Sequence, residues 1–255
     1  MDHVTLTLAF GVVVGLALGL VGGGGSILTV PILVYALGES VHLATGTSLA
    51  IVGANALIGA WDHARAGRVR LRTALIFGGA GIFGAFAGTY LNHLASGRII
   101  LLGFAVLMLA AAVAMARVRL GDRQGRATLT SVSPRVVGAG LAVGVLTGFF
   151  GVGGGFLIVP ALVLVLGLPM RAAVGTSLLV IAINSAAALL GHLHGGVDVG
   201  VTALFIVGGT VGSILGSRLS GRIDEGRLRL GFAGMVVLVA LYIIGRTLLG
   251  HGATA

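Results

Sequence analysis

Two glycine clusters, each followed by a proline, are the residues whose types and spacing best suit chemistry in this chain. Gly22–Gly25 precedes Ser26 and Pro31, and Gly151-Val-Gly-Gly-Gly155 precedes Pro160. Consecutive glycines weaken a helix by about 1 kcal/mol each, so a run of them marks a break. A helix that restarts after the break exposes free N–H groups and the positive end of its dipole, which favour anions. Gly23, Gly24 and Gly25, with Gly153, Gly154 and Gly155, are therefore candidate anion contacts. Ser26 is placed to cap the first restarted helix, and Pro31 and Pro160 accompany the breaks. A helix end supplies only about 0.3–2 kcal/mol, while stripping an anion of water costs far more. Further donors are needed, and the chain offers a matched set: Thr47 and Ser48, Thr176 and Ser177, Asn55 and Asn184. Each also has a structural reading, since Ser and Thr bond their own helix carbonyls and Asn bridges helices. Apart from Arg229 near the start of the last one, no Arg interrupts an apolar stretch, so weak or partly hydrated binding is expected.

The other polar residues point less sharply. His63 and His192 close equivalent stretches, and an imidazole that titrates near neutral pH suits a proton relay; an interfacial end residue is the competing reading. Asp62 beside His63 has no acidic counterpart, because the second copy carries Gly191. Glu39 and His42 occupy a short connection that reads as a gate or a solvated turn. His192, His194 and Asp198 fall short of a convincing metal site, and the chain has no Cys, so no metal is expected. Gly151–Gly155 lacks the strand that a dinucleotide loop requires, and no nucleophile elbow is present. Neither a cofactor nor an enzyme is implied.

The elements that must position these residues follow from composition. Of the 255 residues, 57% are hydrophobic and only 9% charged, with a mean hydropathy of +1.12. A soluble domain carries roughly 25% charged residues, so soluble enzyme, disordered regulator and nucleic-acid binder are excluded. The net charge of +9 does not indicate nucleic acid, because all 16 basic residues are Arg in short gaps between apolar stretches. Those stretches are Val4–Val21, Ser26–Leu37, Leu43–Trp61, Thr73–Leu91, Ile99–Ala116, Val136–Phe150, Phe156–Leu166, Ala172–Leu190, Val199–Ser217 and Leu228–Gly245. A span needs about 20 residues, and backbone in lipid is satisfied by helices. The expectation is an all-α polytopic membrane protein with about eight full transmembrane helices plus two short, re-entrant ones after the glycine clusters. Met1–His3 lacks a basic n-region, so the first stretch is read as a mature helix.

Sliding the chain against itself by 129 residues reveals an internal repeat. Gly19–Pro31 then lies over Gly148–Pro160, Gly46-Thr47-Ser48 over Gly175-Thr176-Ser177, Asn55 over Asn184, and His63 over His192. One residue is lost later, so that Gly84 and Gly88 meet Gly212 and Gly216. The domains are an N-terminal repeat 1–117, a basic linker 118–135, a C-terminal repeat 136–246 and a tail 247–255. Arg clusters at Ala64–Arg72, Arg117–Arg135 and Arg218–Arg229 are expected on the cytoplasmic side. The equivalents of the first and third, Leu193–Val201 and Asn92–Arg98, are nearly free of Arg. The bias reverses between halves, which implies inverted topology, with both termini outside.

The order Gly22–Gly25, Pro31, Gly46-Thr47-Ser48, Asn55, repeated in the second half, resembles the TauE/SafE sulfite exporter family over nearly the whole chain. The second cluster departs from the first, with Val152 interrupting the run and Gly155 in place of Ser26. The resemblance implies a multi-pass protein of the cell inner membrane that exports a small sulfur-containing anion such as sulfite, sulfoacetate or thiosulfate. The expected partners are that anion, a coupling proton or other ion, and membrane lipids; a homo-oligomer is compatible with the sequence. The alternatives are a passive anion channel or facilitator, and a membrane component that transports nothing.

Overall fold

The computed structural model describes residues 3–92, 94, 97–117, 134–150, 155–191 and 196–248. These residues form ten α-helices and no strand. In order they are α1 (His3–Val21), α2 (Ser26–Pro31), α3 (Val41–Arg65), α4 (Leu71–Asn92), α5 (Gly97–Arg117), α6 (Pro134–Phe150), α7 (Gly155–Pro160), α8 (Met170–Gly191), α9 (Val199–Arg222) and α10 (Glu225–Leu248). The expected linker lies almost wholly outside the described residues, as do Gly153, Gly154, His192 and the end of the tail.

Five of these helices, α1, α4, α8, α9 and α10, contain a stretch long and apolar enough to cross a membrane. The remaining expected spans fall in α3, α5 and α6. α3 runs for 25 residues, but Ser48, Asn55, Asp62 and His63 make it more polar. α5 and α6 contribute the shorter apolar stretches Leu102–Arg117 and Pro134–Phe150.

The two short helices fall within the short apolar stretches expected after the glycine clusters, and neither stops at its proline. α2 passes at Pro31 into a π-helical turn, Ile32–Ala36, and α7 passes at Pro160 into the turn Ala161–Val165. Proline has no N–H to give to the ladder, and a widened turn accommodates the gap. Both segments end alike. Leu37 N–H donates to Ile32 O at 3.2 Å and Leu166 N–H to Ala161 O at 3.3 Å. Gly38 and Gly167 then turn the chain at φ +75° and +68°, a left-handed conformation that glycine adopts without a Cβ penalty.

The two sequence halves interpenetrate. The six most extensive helix pairings all join one half to the other: α1 with α9, α4 with α6, α3 with α8, α5 with α10, α3 with α9, and α4 with α8. Exchanging each helix for its repeat partner maps this set onto itself. Glycine makes the closest pairings. A Cβ on Gly15 would overlap the backbone of Gly209, and one on Gly212 would overlap that of Val12. In the mirrored pair, a Cβ on Gly144 would overlap Gly81, and one on Gly88 would overlap Val145. Such small-residue faces replace the hydrophobic drive that lipid cannot supply between helices.

Candidate functional site

The glycine clusters of the two halves meet. Gly22 breaks α1 with φ +72°, and a tight turn, Gly23–Gly25, leads straight into α2. A Cβ on Gly23 would overlap the carbonyl of Gly155, and a Cβ on Gly155 would lie 2.9 Å from Gly23 O. Two backbone segments can approach this closely only where neither carries a side chain. Gly155 and the rest of α7 are buried, so the crossing lies in the interior.

Ser26 does not cap α2. That position belongs to Gly25, which makes no side-chain cap bond; the Ser26 hydroxyl instead donates to Gly23 O at 2.7 Å. The turn Gly23–Gly25 already continues the helix backwards, so Ser26 stands one turn inside the new end. Ser177 closes the other side of Gly22. It lies 2.5 Å from where a Gly22 Cβ would stand, and its hydroxyl donates to Val174 O at 2.8 Å. Ser48, its repeat partner, is likewise buried.

Thr47 and Thr176 occupy a place that the motif alone does not reveal. Thr47 Oγ1 accepts the backbone N–H of Asp198 at 3.0 Å, and Thr176 Oγ1 accepts that of Arg70 at 3.0 Å. The glycine before each Thr admits the same opposing loop. A Cβ on Gly46 would overlap Gly196 O, and one on Gly175 would lie 3.0 Å from Arg68 O. Each Gly-Thr-Ser motif thus clasps the loop that precedes α9 or α4 in the opposite half. These loop partners escaped the sequence reading because a backbone N–H carries no residue signature.

Asn55 and Asn184 both face glycines of the opposite half. The Asn55 amide packs against Gly209, and Asn184 Nδ2 lies 3.7 Å from the position of a Gly81 Cβ. Asn55 is fully buried, and neither its Nδ2 nor its Oδ1 has a partner. Asn184 Oδ1 is also unpartnered, as is the hydroxyl of buried Thr29. An unmet buried polar group costs about 1–3 kcal/mol, so each of these atoms is a local cost to the fold as it stands.

His63 is buried and bonds Gly19 O through Nε2 at 3.1 Å, while Nδ1 has no partner. The ring therefore ties the end of α3 to the last turn of α1, just before the Gly22 break. Around it stands a polar cluster signalled in the sequence only by the unmatched Asp62. Ser217 Oγ donates to Asp62 Oδ2, and Arg68 Nη1 donates to Ser217 O at 3.3 Å and Ser220 Oγ at 3.5 Å.

At the other clasp the charges are acidic. Glu39 lies in the loop before α3, with both carboxylate oxygens shielded from solvent. Its burial, and secondarily the Asp198 carboxylate, raise its pKa above the ordinary carboxylate value, an effect that the nearby Thr47 hydroxyl partly offsets.

Two apolar grooves of about 640 and 370 Å³ open on the α3–α8 face, lined by residues such as Leu57, Trp61, Ala182 and Leu179. Neither includes a residue of the glycine crossing. No group of three or more metal-ligating side chains occurs among the described residues.

Comparison with known proteins agrees with this architecture. Residues 7–243 match the family model described as sulfite exporter TauE/SafE. A probable membrane transporter protein of Xylella fastidiosa is 38% identical, covering 97% of both chains. The probable membrane transporter protein YdhB of Bacillus subtilis is 30% identical over 81% of this chain and 86% of its own. One from Methanocaldococcus jannaschii is 26% identical over 94% of each. No solved structure matches. The match spans both glycine clusters, both Gly-Thr-Ser motifs and all ten helices: the chain belongs to the TauE/SafE sulfite exporter family of membrane transporters.

Proposed function

We propose that the chain is a secondary transporter that exports a small sulfur-containing anion, such as sulfite, sulfoacetate or thiosulfate, across the inner membrane. Substrate binds between the two repeats at the glycine crossing and is released by alternating access. The contact of Gly23 with Gly155 carries this reading, because it joins the break after α1 to the start of α7 in the opposite half inside the protein. Unwound backbone at membrane depth is tolerated where it is buried in protein or lines a cavity, and transporters with inverted repeats bind substrate at such breaks. The helix pairings that map onto themselves when the halves are exchanged support that symmetry. So does the reversal of Arg bias, which puts the Arg-rich loops in the cytoplasm and both termini outside. In this reading the grooves on the α3–α8 face belong to lipid, and the crossing is closed to both sides. Asn55 and Asn184 supply donors to the anion when the halves move.

Flux of radiolabelled sulfite and sulfoacetate into proteoliposomes, with and without an imposed pH gradient, tests the proposal. Wild-type protein should accumulate one of these anions against its gradient. Gly23→Leu, which fills the crossing, should abolish flux while the protein still inserts, and Asn55→Ala, a milder change, should slow it. Flux that only follows its own gradient would indicate a facilitator. Normal flux in both variants would remove the site from the crossing.

A further inference from the structure

The cluster at the end of α3 has no counterpart in the other half. Asp62, Ser217 and Ser220 correspond by the repeat to Gly191, Thr89 and Asn92, and Arg68 takes the place in its clasp that Gly196 takes in the other, so the charged pair exists on one face only. α9 presents one small polar ridge to α3. The Ser213 hydroxyl donates to Asn55 O at 3.3 Å, the Ser217 hydroxyl to Asp62 Oδ2, and the Ser220 hydroxyl to Ser217 O at 2.7 Å. The ridge therefore runs from the unpartnered Asn55 amide down to the Arg-rich face. Ser213, Ser217 and Ser220 are all buried.

Arg68 reaches across to this ridge. A Cβ on Gly221 would meet its Nη2, so glycine there leaves room for the guanidinium beside α9. Its partners are the carbonyl of Ser217 and the hydroxyl of Ser220, both neutral oxygens. A guanidinium has five N–H donors in a fork that suits a planar or pyramidal oxyanion, and two neutral acceptors leave most of that capacity unspent. The Ser217 hydroxyl, one hydrogen bond away, already holds an anion: the carboxylate of Asp62. A hydroxyl that already donates to a carboxylate, with a guanidinium bonded to the carbonyl of the same residue, suits another small oxyanion equally.

We propose that Arg68 and Ser217, with Ser220 holding the guanidinium in place, form an oxyanion-binding niche at the Arg-rich mouth, which the Asp62 carboxylate fills until a substrate anion displaces it. This rests on the transport reading above and adds an entry site to it. A substrate oxygen takes the Ser217 Oγ–H bond from Asp62 while Arg68 supplies a second, charged donor. Asp62 then turns to water at the helix end. Displacement removes one tie between α3 and α9 and uncovers the ridge that leads to Asn55. At the opposite mouth Gly191 stands where the repeat places Asp62, so no carboxylate corresponds to it there.

Substitutions at the mouth separate this from a purely structural tie. In sided proteoliposomes, Asp62→Asn keeps an oxygen to accept from Ser217 but removes the competing charge. Half-saturation for sulfite offered from the Arg-rich side should fall several-fold, with no change from the other side. Arg68→Gln should raise it by about tenfold, the equivalent of one charge-assisted bond of roughly 1.4 kcal/mol, and Arg68→Lys should fall between. Equal half-saturation in Asp62→Asn, Arg68→Gln and wild type, all transporting, would overturn the niche and leave the glycine-crossing site standing. A wild type that moves no anion at all would overturn both. Sulfite-induced thermal stabilisation of the same variants in nanodiscs gives a check independent of turnover: larger in Asp62→Asn and smaller in Arg68→Gln supports the niche, and identical shifts refute it.

Discussion

The two Gly-Thr-Ser clasps share a backbone and differ in almost everything around it. In one, Gly46 and Thr47 grip the loop Gly196–Asp198; in the other, Gly175 and Thr176 grip Arg68–Arg70. Both use a glycine to admit a carbonyl and a threonine oxygen to accept a backbone N–H at 3.0 Å. The first is surrounded by Glu39 and Asp198, the second by Arg68, Asp62 and His63. Geometry has been retained by the repeat while charge has diverged. The difference teaches that the clasp itself does structural work, holding each half to the other, and that whatever distinguishes the two faces resides in the side chains placed beside it.

The largest expected effect comes from filling a clasp. A methyl on Gly46 meets Gly196 O inside contact distance, whereas one on Gly175 meets Arg68 O and His63 Cβ at 3.0 Å. Overpacking of this kind costs about 1–3 kcal/mol. Gly46→Ala should lower the apparent melting temperature in detergent more than Gly175→Ala; the reverse order would mean that the first loop yields more easily than its packing implies.

Removing the acceptor comes next. Thr47→Val and Thr176→Val keep the shape of the side chain but leave the N–H of Asp198 or Arg70 without its bond, at about 1–3 kcal/mol each where water cannot enter. Thr47→Val should be the worse of the two, because the Thr47 hydroxyl also offsets the raised pKa of Glu39. Equal losses in thermal unfolding would show that Glu39 does not depend on it.

The smallest effect is the pH dependence that only the acidic clasp should show. The pKa of Glu39 is raised by burial and by the Asp198 carboxylate, so the folded protein binds its proton more tightly than the unfolded chain does. Between the ordinary carboxylate value and the raised one, the native state holds the extra proton, and this contribution to stability falls as pH rises. Glu39→Gln should therefore be slightly more stable than wild type near neutral pH. The two should converge as pH falls below the ordinary carboxylate range. A pH-independent difference would assign the effect to packing.

Much of the framework is legible from residue order because its causes are local. A run of apolar residues between Arg-bearing gaps becomes a helix wherever it occurs. Gly11, Gly15 and Gly19, with Gly208, Gly212 and Gly216, announce a packing face by their four-residue spacing alone, and α1 does pack on α9 through it. The glycine clusters mark helix breaks for the same reason, and Gly22 does break α1 at φ +72°. Ser26 was harder to read, because capping depends on where the helix begins, and the turn Gly23–Gly25 moves that start. The prolines were also incomplete signals: a missing N–H allows either an end or a π turn, and packing selects between them.

By itself the sequence determined the helical class, the repeat, the membrane setting and the glycines at which backbones must touch. All of these follow from composition, periodicity and the absence of a Cβ. Only the tertiary structure decided what Thr47 and Thr176 hold, why Asn55 is left unpaired against Gly209, and that Asp62 meets Ser217 from far along the chain. Those contacts join opposite halves, and a backbone N–H or carbonyl looks the same at every residue until folding brings it to its partner.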